Sequence, residues 1–273
     1  MPILKGLRYS EYAAINAVNW SRLSQIDKSP LHYRAYQDRD SDSRLFGRAL
    51  HCAVFEPAAF DERYAGYGKP RNPRHAEYKA FLGDNPGKEI LSRRAYDEVA
   101  LLSQGLRGHP WLARQMKTGE GEIAFTWLDD ETGLKCKGRA DWLTADGDLI
   151  DLKGWGTSDA YRAGSMAAKS LAHGQMAHYK QGLAANGVEV ERVFIVSCET
   201  SLPYDVASFE LEPGVPDGAL HEGEILRKRL MSRLKHCLDV DHWPGRQEHG
   251  PEPLYLPEYA RTDALEGLEF DEV

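Results

Sequence analysis

The chain has 273 residues, 42% of them hydrophobic and 10% aromatic, which is enough apolar material for the core of one large domain. No apolar run approaches the roughly 20 residues of a membrane helix, and the first residues lack the apolar stretch of a signal peptide, so we expect a cytoplasmic protein without membrane contact. The net charge of −8 argues against a DNA-binding protein, but residues 246–273 carry eight acidic and two basic side chains, which leaves the remainder nearly neutral. The four cysteines are far apart, which disfavours a disulfide framework and a zinc site.

The first 91 residues are predicted to be mainly helical. Asn19 or Ser21 can cap a short helix, and Ser29-Pro30 is typical of the start of a second one. A third helix is predicted from Ser43 to Pro57 because its apolar residues recur at helical spacing. It contains His51, which as a lone histidine on a helix is more often packed or solvated than a ligand.

Residues 61–79 combine basic side chains, including Arg71 and Arg74, with interleaved tyrosines. Phosphates pair with cations and bases stack on aromatic rings, so this segment is a candidate DNA contact. An exposed loop with ordinary basic residues explains the same composition, and the sequence does not decide between the two.

The rest of the chain alternates helices and strands. Ser92 is predicted to cap a long helix, and three strands then follow as an antiparallel meander. Further elements are helical sequence over about 158–186, a buried strand over 190–198, an edge strand over 206–211 and a helix over about 217–238. The pattern predicts an α/β fold with a mixed sheet flanked by helices. We expect a domain over 1–245, with its core at about 92–240, and an acidic tail over 246–273.

The second and third meander strands place three charged side chains together. Asp151 and Lys153 are two residues apart in a short apolar strand, so alternation puts both on one face while Leu152 points into a core. Residues 144–148 read as a hairpin turn that returns the chain beside Asp141. Two carboxylates are hard oxygen ligands that suit Mg²⁺, and a lysine can orient water and offset charge on a phosphate. A surface hairpin with a solvated salt bridge is the plainer interpretation of such a pair.

These residues resemble a known family. The runs Gly-Arg-Ala-Asp-Trp at 138–142 and Ile-Asp-Leu-Lys at 150–153, followed by Gln175 and Tyr179 four residues apart, look like the PD-(D/E)xK nuclease superfamily, specifically its exodeoxyribonuclease VIII (RecE-type) branch. Similar segments extend the resemblance from about Trp20 to Pro244. The branch usually continues with two threonines after its lysine, whereas this chain has Gly154-Trp155-Gly156-Thr157.

The resemblance implies roles for individual residues. His51 and Glu122 would lie at the metal together with Asp141, Asp151 and the Leu152 carbonyl. Gln175 and Tyr179 share a helix face and would lie beside the DNA strand at the active site. The residues expected to contact DNA are Arg139, Trp155, Thr157, Arg71 and Arg74. Trp155 could equally fill core space. Thr157 could supply the hydroxyl group that the branch usually has directly after its lysine.

The resemblance also implies an activity. We expect a Mg²⁺-dependent 5′→3′ exonuclease on double-stranded DNA ends, with Mn²⁺ substituting, which exposes a 3′ strand for a single-strand annealing protein. The implied assembly is a ring, most simply a homotetramer, in a bacterial or phage-encoded setting. The alternatives are a structure- or site-specific endonuclease on the same fold, and an inactive nuclease fold that binds DNA or regulates.

Overall fold

The computed structural model describes residues 3–4, 6–38, 40–212, 218–248, 250–257 and 260–261. The predicted start of the last helix near Asp217 and the acidic tail from Thr262 onward lie outside the described residues. Within the described residues the strands are β1 (Ile3–Leu4), β2 (Tyr64–Tyr67), β3 (Glu89–Ser92), β4 (Glu120–Leu128), β5 (Lys135–Leu143), β6 (Leu149–Lys153), β7 (Val193–Cys198) and β8 (Val206–Glu210). The helices are α1 (Tyr9–Ala14), α2 (Trp20–Leu23), α3 (Gln25–Lys28), α4 (Pro30–Ala35), α5 (Asp42–Phe55), α6 (Pro57–Arg63), α7 (Ala76–Asp84), α8 (Arg93–Gly108), α9 (Pro110–Gln115), α10 (Ala160–Ser170), α11 (Ala172–Ala184) and α12 (Ala219–Val240).

The main sheet of the described chain has the strand order β1-β4-β5-β6-β7-β8. All neighbours are antiparallel except β6 and β7, which run parallel, so the sheet is mixed as predicted. The predicted meander is β4, β5 and β6. The hairpin between β5 and β6 is closed by a hydrogen bond from the Thr144 amide to the Asp148 carbonyl at 3.0 Å, and Gly147 takes a left-handed φ of 88° there.

Helices cover both faces of the sheet. On one face, the main core contains Phe125 and Trp127 of β4 packed against apolar side chains of α11 and α12, such as Met176 and Leu230. On the other face, a second core joins Ile150 and Leu152 of β6 to side chains of α5 and α8. This helix–sheet–helix arrangement confirms the predicted α/β fold class, and it buries Leu152 as the strand alternation requires.

The helix that carries His51 is α5. Its N-cap is Ser41 rather than the predicted Ser43, because the Ser41 hydroxyl accepts a hydrogen bond from the Arg44 amide at 3.3 Å. Pro57 follows the helix end and is itself at the start of α6, where a missing N–H costs nothing.

Residues 61–79 form a largely exposed loop only over 68–75. The rest of the segment is the end of α6, strand β2, which pairs in parallel with β3, and the start of α7. The tyrosines Tyr64, Tyr67 and Tyr78 are all buried, so the prediction that bases stack on them is wrong. Their rings contribute to apolar packing beneath this small sheet instead.

The position of α11 depends on glycines. A Cβ added to Gly182 would lie 2.6 Å from both Phe125 and Trp127 of the sheet, and one added to Gly174 would lie 2.4 Å from Trp20. A Cβ on Gly223 of α12 would lie 2.3 Å from the His173 carbonyl oxygen. Helix α11 therefore approaches both the sheet and α12 more closely than any larger residue allows.

The N-terminal segment is attached to the sheet by a buried lysine. β1 pairs with β4, and the Lys137 ammonium donates to the carbonyls of Tyr12, Ala13 and Ile15 at 2.8–3.0 Å, at the end of α1. Among the described residues, no helix is both long enough and apolar enough to cross a bilayer.

Candidate active site

The β5–β6 hairpin brings Asp141, Asp151 and Lys153 together, as the sequence predicts. The Asp141 carboxylate accepts a hydrogen bond from the Leu152 amide at 2.8 Å, which fixes it across from β6. The Lys153 ammonium lies 2.8 Å from the Asp151 carboxylate. Both aspartates are buried, so these charges lie inside the protein rather than on a solvated hairpin.

His51 reaches the same place from α5. Its Nδ1 lies 3.1 Å from an Asp141 carboxylate oxygen, and its Nε2 lies 2.9 Å from the Leu152 carbonyl oxygen. Glu122 of β4 adds a third ligand-type side chain, with its carboxylate 3.9 Å from His51 Nδ1. The ligand atoms of His51, Glu122 and Asp141 all lie within 4.8 Å of one another. The structure therefore brings together His51, Glu122 and Asp141, with the Leu152 carbonyl beside His51, while Asp151 lies on the adjacent strand and pairs with Lys153.

Glu122 has an unusual backbone. It is directly opposite Asp141, because its neighbours Gly121 and Ile123 pair with Trp142 and Ala140. Its φ is 53°, in the left-handed region that a non-glycine residue seldom adopts. The Arg139 guanidinium lies 2.6 Å from the Glu122 carboxylate, so Arg139 holds a metal-site residue in this structure.

Gln175 and Tyr179 of α11 complete the cluster. The Gln175 side-chain oxygen accepts a hydrogen bond from Lys153 at 3.0 Å, and its nitrogen donates to the Tyr179 hydroxyl at 3.0 Å. The same nitrogen lies 3.4 Å from the Asp151 carboxylate, a long hydrogen bond. Gln175 therefore fixes the orientation of the lysine and one aspartate at once.

Burial and neighbouring charges shift the pKa values in this cluster. Burial, reinforced by the charge of Asp141, raises the pKa of Asp151 to about 6 against the opposing effect of Lys153. Burial also raises the pKa of Glu122 to about 7, although Arg139 lowers it. Burial works against charging His51, but the Asp141 carboxylate overcomes it and raises the His51 pKa to about 9. A proton on His51 therefore balances part of the negative charge of the neighbouring carboxylates.

A divalent metal fits this donor set. The buried Oδ2 of Asp151 faces Lys153 but accepts no hydrogen bond of normal geometry, so it keeps ligand capacity. Carboxylates and a backbone carbonyl are hard oxygen donors, and a bound cation would take over the balancing role of the His51 proton. Asp141, Asp151, Glu122, His51 and the Leu152 carbonyl are the residues that would hold it.

The cluster opens into a cleft of about 660 Å³. One wall is α5, with Arg48 and His51, and another is the N-terminal segment, with Tyr9. The Tyr9 ring packs under the guanidinium groups of Arg48 and Arg139, with centroid distances of 5.1 and 5.9 Å. Sequence reasoning missed Tyr9 and Arg48, since residues 1–18 show no motif and Arg48 is one of many arginines.

The predicted DNA contacts lie in different surroundings. Trp155 is half-buried against the main core, and the buried Thr157 hydroxyl accepts from the Asp159 amide at 3.2 Å. Arg74 is exposed, whereas Arg71 pairs with Asp42. These predictions stay open.

His178 matches none of the motifs of the resembled branch, so the sequence predicts an ordinary surface residue. It is instead fully buried between Trp20 and Trp127. Burial lowers its pKa to about 3, so it is a neutral core residue. The surface prediction was wrong because the two glycines of α11 press this face of the helix into the core.

A mixed sheet flanked by helices, with two carboxylates and a lysine on adjacent strands, defines a PD-(D/E)xK-like α/β protein. Residues 20–250 match the family described as a PDDEXK-like domain of unknown function, DUF3799, and the chain belongs to that family. None of the curated proteins matches the chain.

Solved structures give a second comparison. A crystal structure from Eubacterium rectale, of a protein provisionally named an exonuclease, aligns with a TM-score of 0.63 and 14% identity over 94% of this chain and 96% of that one. At this identity the likeness shows the fold alone. The crystal structure of SSO0001 aligns over 80% of this chain and 84% of that one at 14% identity, but its TM-score of 0.30 is too low to indicate a shared fold.

The predicted superfamily is thereby confirmed, and the family supports a nuclease in general. The PDDEXK-like assignment and the His51–Glu122–Asp141 cluster together support a divalent-metal site. The RecE-type branch stays a prediction.

Proposed function

We propose that the protein is a Mg²⁺-dependent deoxyribonuclease that digests double-stranded DNA from its ends in the 5′→3′ direction. The observation that carries the proposal is the pair of buried aspartates Asp141 and Asp151 on adjacent strands, with Lys153 paired to Asp151. Burying two carboxylates beside a lysine is costly for a structural purpose alone, so such clusters are typical of catalytic sites. The end dependence and the direction rest on the sequence resemblance to the exonuclease branch.

The residues of the site would have separate roles in catalysis. A bound Mg²⁺, for which Mn²⁺ should substitute, would polarise the scissile phosphate and lower the pKa of a water molecule. Lys153, held by Gln175, would orient the attacking water and offset charge that develops on the phosphate. Attack at phosphorus forms the new P–O bond as the bond to the 3′ oxygen breaks, which leaves a 5′ phosphate and a 3′ hydroxyl.

The test is cleavage of linear duplex DNA with Mg²⁺ by three variants. Asp151→Asn and Lys153→Ala should lower the rate of nucleotide release by at least about a hundredfold, because each removes a group that acts on the transition state. Asp146→Asn is the matched control, since Asp146 is exposed in the turn of the same hairpin. Wild-type rates for both site variants would refute the proposal.

The form of the DNA separates exonuclease from endonuclease. An end-dependent enzyme leaves supercoiled closed-circular DNA intact, and labels at the 5′ or 3′ end report the direction of digestion. Cleavage of the closed circle would instead identify an endonuclease on the same fold. Binding without any cleavage would identify an inactive DNA-binding protein.

The proposal includes a homo-oligomeric ring, most simply a tetramer, and a single-strand annealing protein that takes the 3′ strand. Nonspecific affinity for DNA grows with the number of phosphates neutralised, and a nearly neutral subunit gains affinity when several copies face one duplex. Light scattering tests the ring: a monomeric mass together with processive digestion would contradict it.

A further inference from the structure

Three aspartates alternate in the segment that precedes and enters α5, and each forms an ion pair with a different arginine. The pairs are Asp38 with Arg44, Asp40 with Arg48, and Asp42 with Arg71. Arg48 holds Asp40 through two bonds of 2.8 and 2.9 Å, and Arg71 holds Asp42 at 2.5 Å. A single chain segment therefore neutralises three arginines in order.

Two of these arginines lie on the helix that carries His51 of the metal site. Arg44, Arg48 and His51 are at i, i+4 and i+7 of α5 and so share one face of the helix. At about 1.5 Å of rise per residue, the row from Arg44 to His51 is roughly 10 Å long. All three side chains line the cleft, as do Asp38 and Asp40.

In two of the three pairs the aspartate lies on the solvent side of its arginine, whereas Asp38 and Arg44 are equally exposed. The Asp40 side chain is 59% exposed and Arg48 is 18% exposed, and the corresponding values for Asp42 and Arg71 are 82% and 25%. Exposed ion pairs contribute little free energy, so another anion can replace such carboxylates. A phosphate suits the planar guanidinium fork as well as a carboxylate does.

Each arginine has a second contact to a group other than its aspartate, although the Tyr36 hydroxyl that Arg44 contacts also donates to Asp38 at 3.2 Å. Arg44 donates to the Tyr36 hydroxyl at 2.9 Å, Arg71 donates to the Ile90 carbonyl at 2.7 Å, and Arg48 pairs with Glu89. These contacts would hold the guanidinium groups in position after the carboxylates leave. That is the arrangement expected of a prepared anion site rather than of three incidental surface pairs.

We propose that Arg44 and Arg48 in the cleft, and Arg71 beside the start of α5, bind backbone phosphates of the DNA strand that enters the cleft, and that Asp38, Asp40 and Asp42 occupy these positions until DNA displaces them. The identity of the ligand rests on the proposed function. The aspartates then act as a built-in phosphate mimic that weakens binding to unrelated polyanions. Because DNA phosphates replace the aspartates, a nearly neutral protein can expose a row of positively charged arginines only to its substrate.

The experiment compares two triple variants with the same net charge. One carries Asp38→Asn, Asp40→Asn and Asp42→Asn. The control carries Asp27→Asn, Glu131→Gln and Asp239→Asn, which remove the carboxylates from three surface ion pairs outside the cleft. The dissociation constant of a labelled duplex is measured with chelator present, so that nothing is cut, at salt concentrations from about 50 to about 200 mM.

Removal of the three aspartate charges should steepen the dependence of DNA affinity on salt concentration. Each phosphate neutralised adds about 0.9 to the slope of log K against log salt. In the wild type each displaced carboxylate attracts a cation again, which offsets this release, so the cleft variant should gain up to about 3 over the wild type, with at least about tenfold tighter binding at low salt. Arg44→Gln introduced into the cleft variant should remove about one-third of that gain. The control variant should show the wild-type slope.

Equal slopes for the cleft and control variants would show a net-charge effect and overturn the inference, as would an Arg44→Gln change without effect. If the triple variant does not fold, single Asp38→Asn and Asp40→Asn variants, each expected to add up to about 0.9, decide the matter. Failure of the proposed function is distinguishable. A wild type that binds DNA but never cuts it refutes the nuclease, whereas a cutting wild type with equal slopes refutes only the phosphate mimic.

Discussion

Replacing Gly182 by alanine tests whether the placement of α11 sets the geometry of the active site. Gly182, Tyr179 and Gln175 lie on one face of α11 at spacings of three and four residues. The added methyl group would lie 2.6 Å from the nearest atoms of Phe125 and Trp127, both of which are fully buried. Because these rings are part of the sheet, the helix is the element expected to shift.

The size of the effect follows from two opposing terms. Overpacking a core costs about 1–3 kcal/mol, and alanine in place of glycine inside a helix returns up to about 1 kcal/mol. The net loss is roughly 1–2 kcal/mol, which for a chain of this size lowers the melting temperature by about 2–8 °C. A displacement of Gln175 by a fraction of an ångström to 1 Å weakens its hydrogen bond to Lys153 and should lower kcat by up to about a hundredfold.

The assay measures melting temperature and steady-state cleavage of linear DNA for Gly182→Ala and for Gly164→Ala. Gly164 of α10 is the matched control, since a Cβ there meets nothing within 4 Å. The control should keep its activity and melt at the same or a slightly higher temperature. An unchanged kcat in Gly182→Ala despite a lowered melting temperature would refute the link between helix placement and catalysis.

Three further outcomes are expected. In chelator, the raised pKa of His51, about 9 in the fold against a usual value near 6.5, stabilises the protein fully below pH 6.5, and this contribution is lost as the pH rises through 9. Melting curves from about pH 6 to about pH 10 check this, and His51→Gln should flatten them. Trp155→Ala should weaken binding of DNA ends about tenfold at unchanged melting temperature if the indole stacks on a base. A lowered melting temperature with unchanged end binding would instead mark core packing. Deleting residues 262–273 should leave cleavage of short linear DNA unchanged, and a truncated protein that cannot fold would contradict that expectation.

The centre of the fold could be predicted because its signals are local. Alternation over 149–153 and turn chemistry over 144–148 together determine a hairpin, and the hairpin alone brings Asp141 to Asp151. The apolar periodicity of α5 likewise does not depend on distant residues. Where a short stretch of sequence decides both the element and its neighbour, prediction succeeds.

The walls of the cleft could not be predicted, because they depend on contacts between residues distant in sequence. Lys137 binds carbonyls of residues 12, 13 and 15, and Arg48 binds Glu89. No periodicity in the sequence marks such a buried lysine or such a paired arginine. The burial of Tyr64 and His178 has the same origin, since each is buried by elements that follow or precede it far along the chain.

Glu122 shows how a local pattern can hide a functional feature. Its strand alternates regularly in sequence, which predicts an ordinary extended residue, yet its φ is 53°. The facing strand β5 is irregular at the same point. Residues two apart in a strand normally share a face, yet Ala140 belongs to the main core and Trp142 to the second core. A left-handed glutamate costs about 1–3 kcal/mol, and Asp141, a like charge, lies directly opposite. The irregularity places Trp142 in the second core, and Arg139 and His51 already face the two carboxylates. A cation held between Glu122 and Asp141 would further offset the repulsion between them. The strained residue therefore adds to the argument that this pair of strands is shaped for a metal.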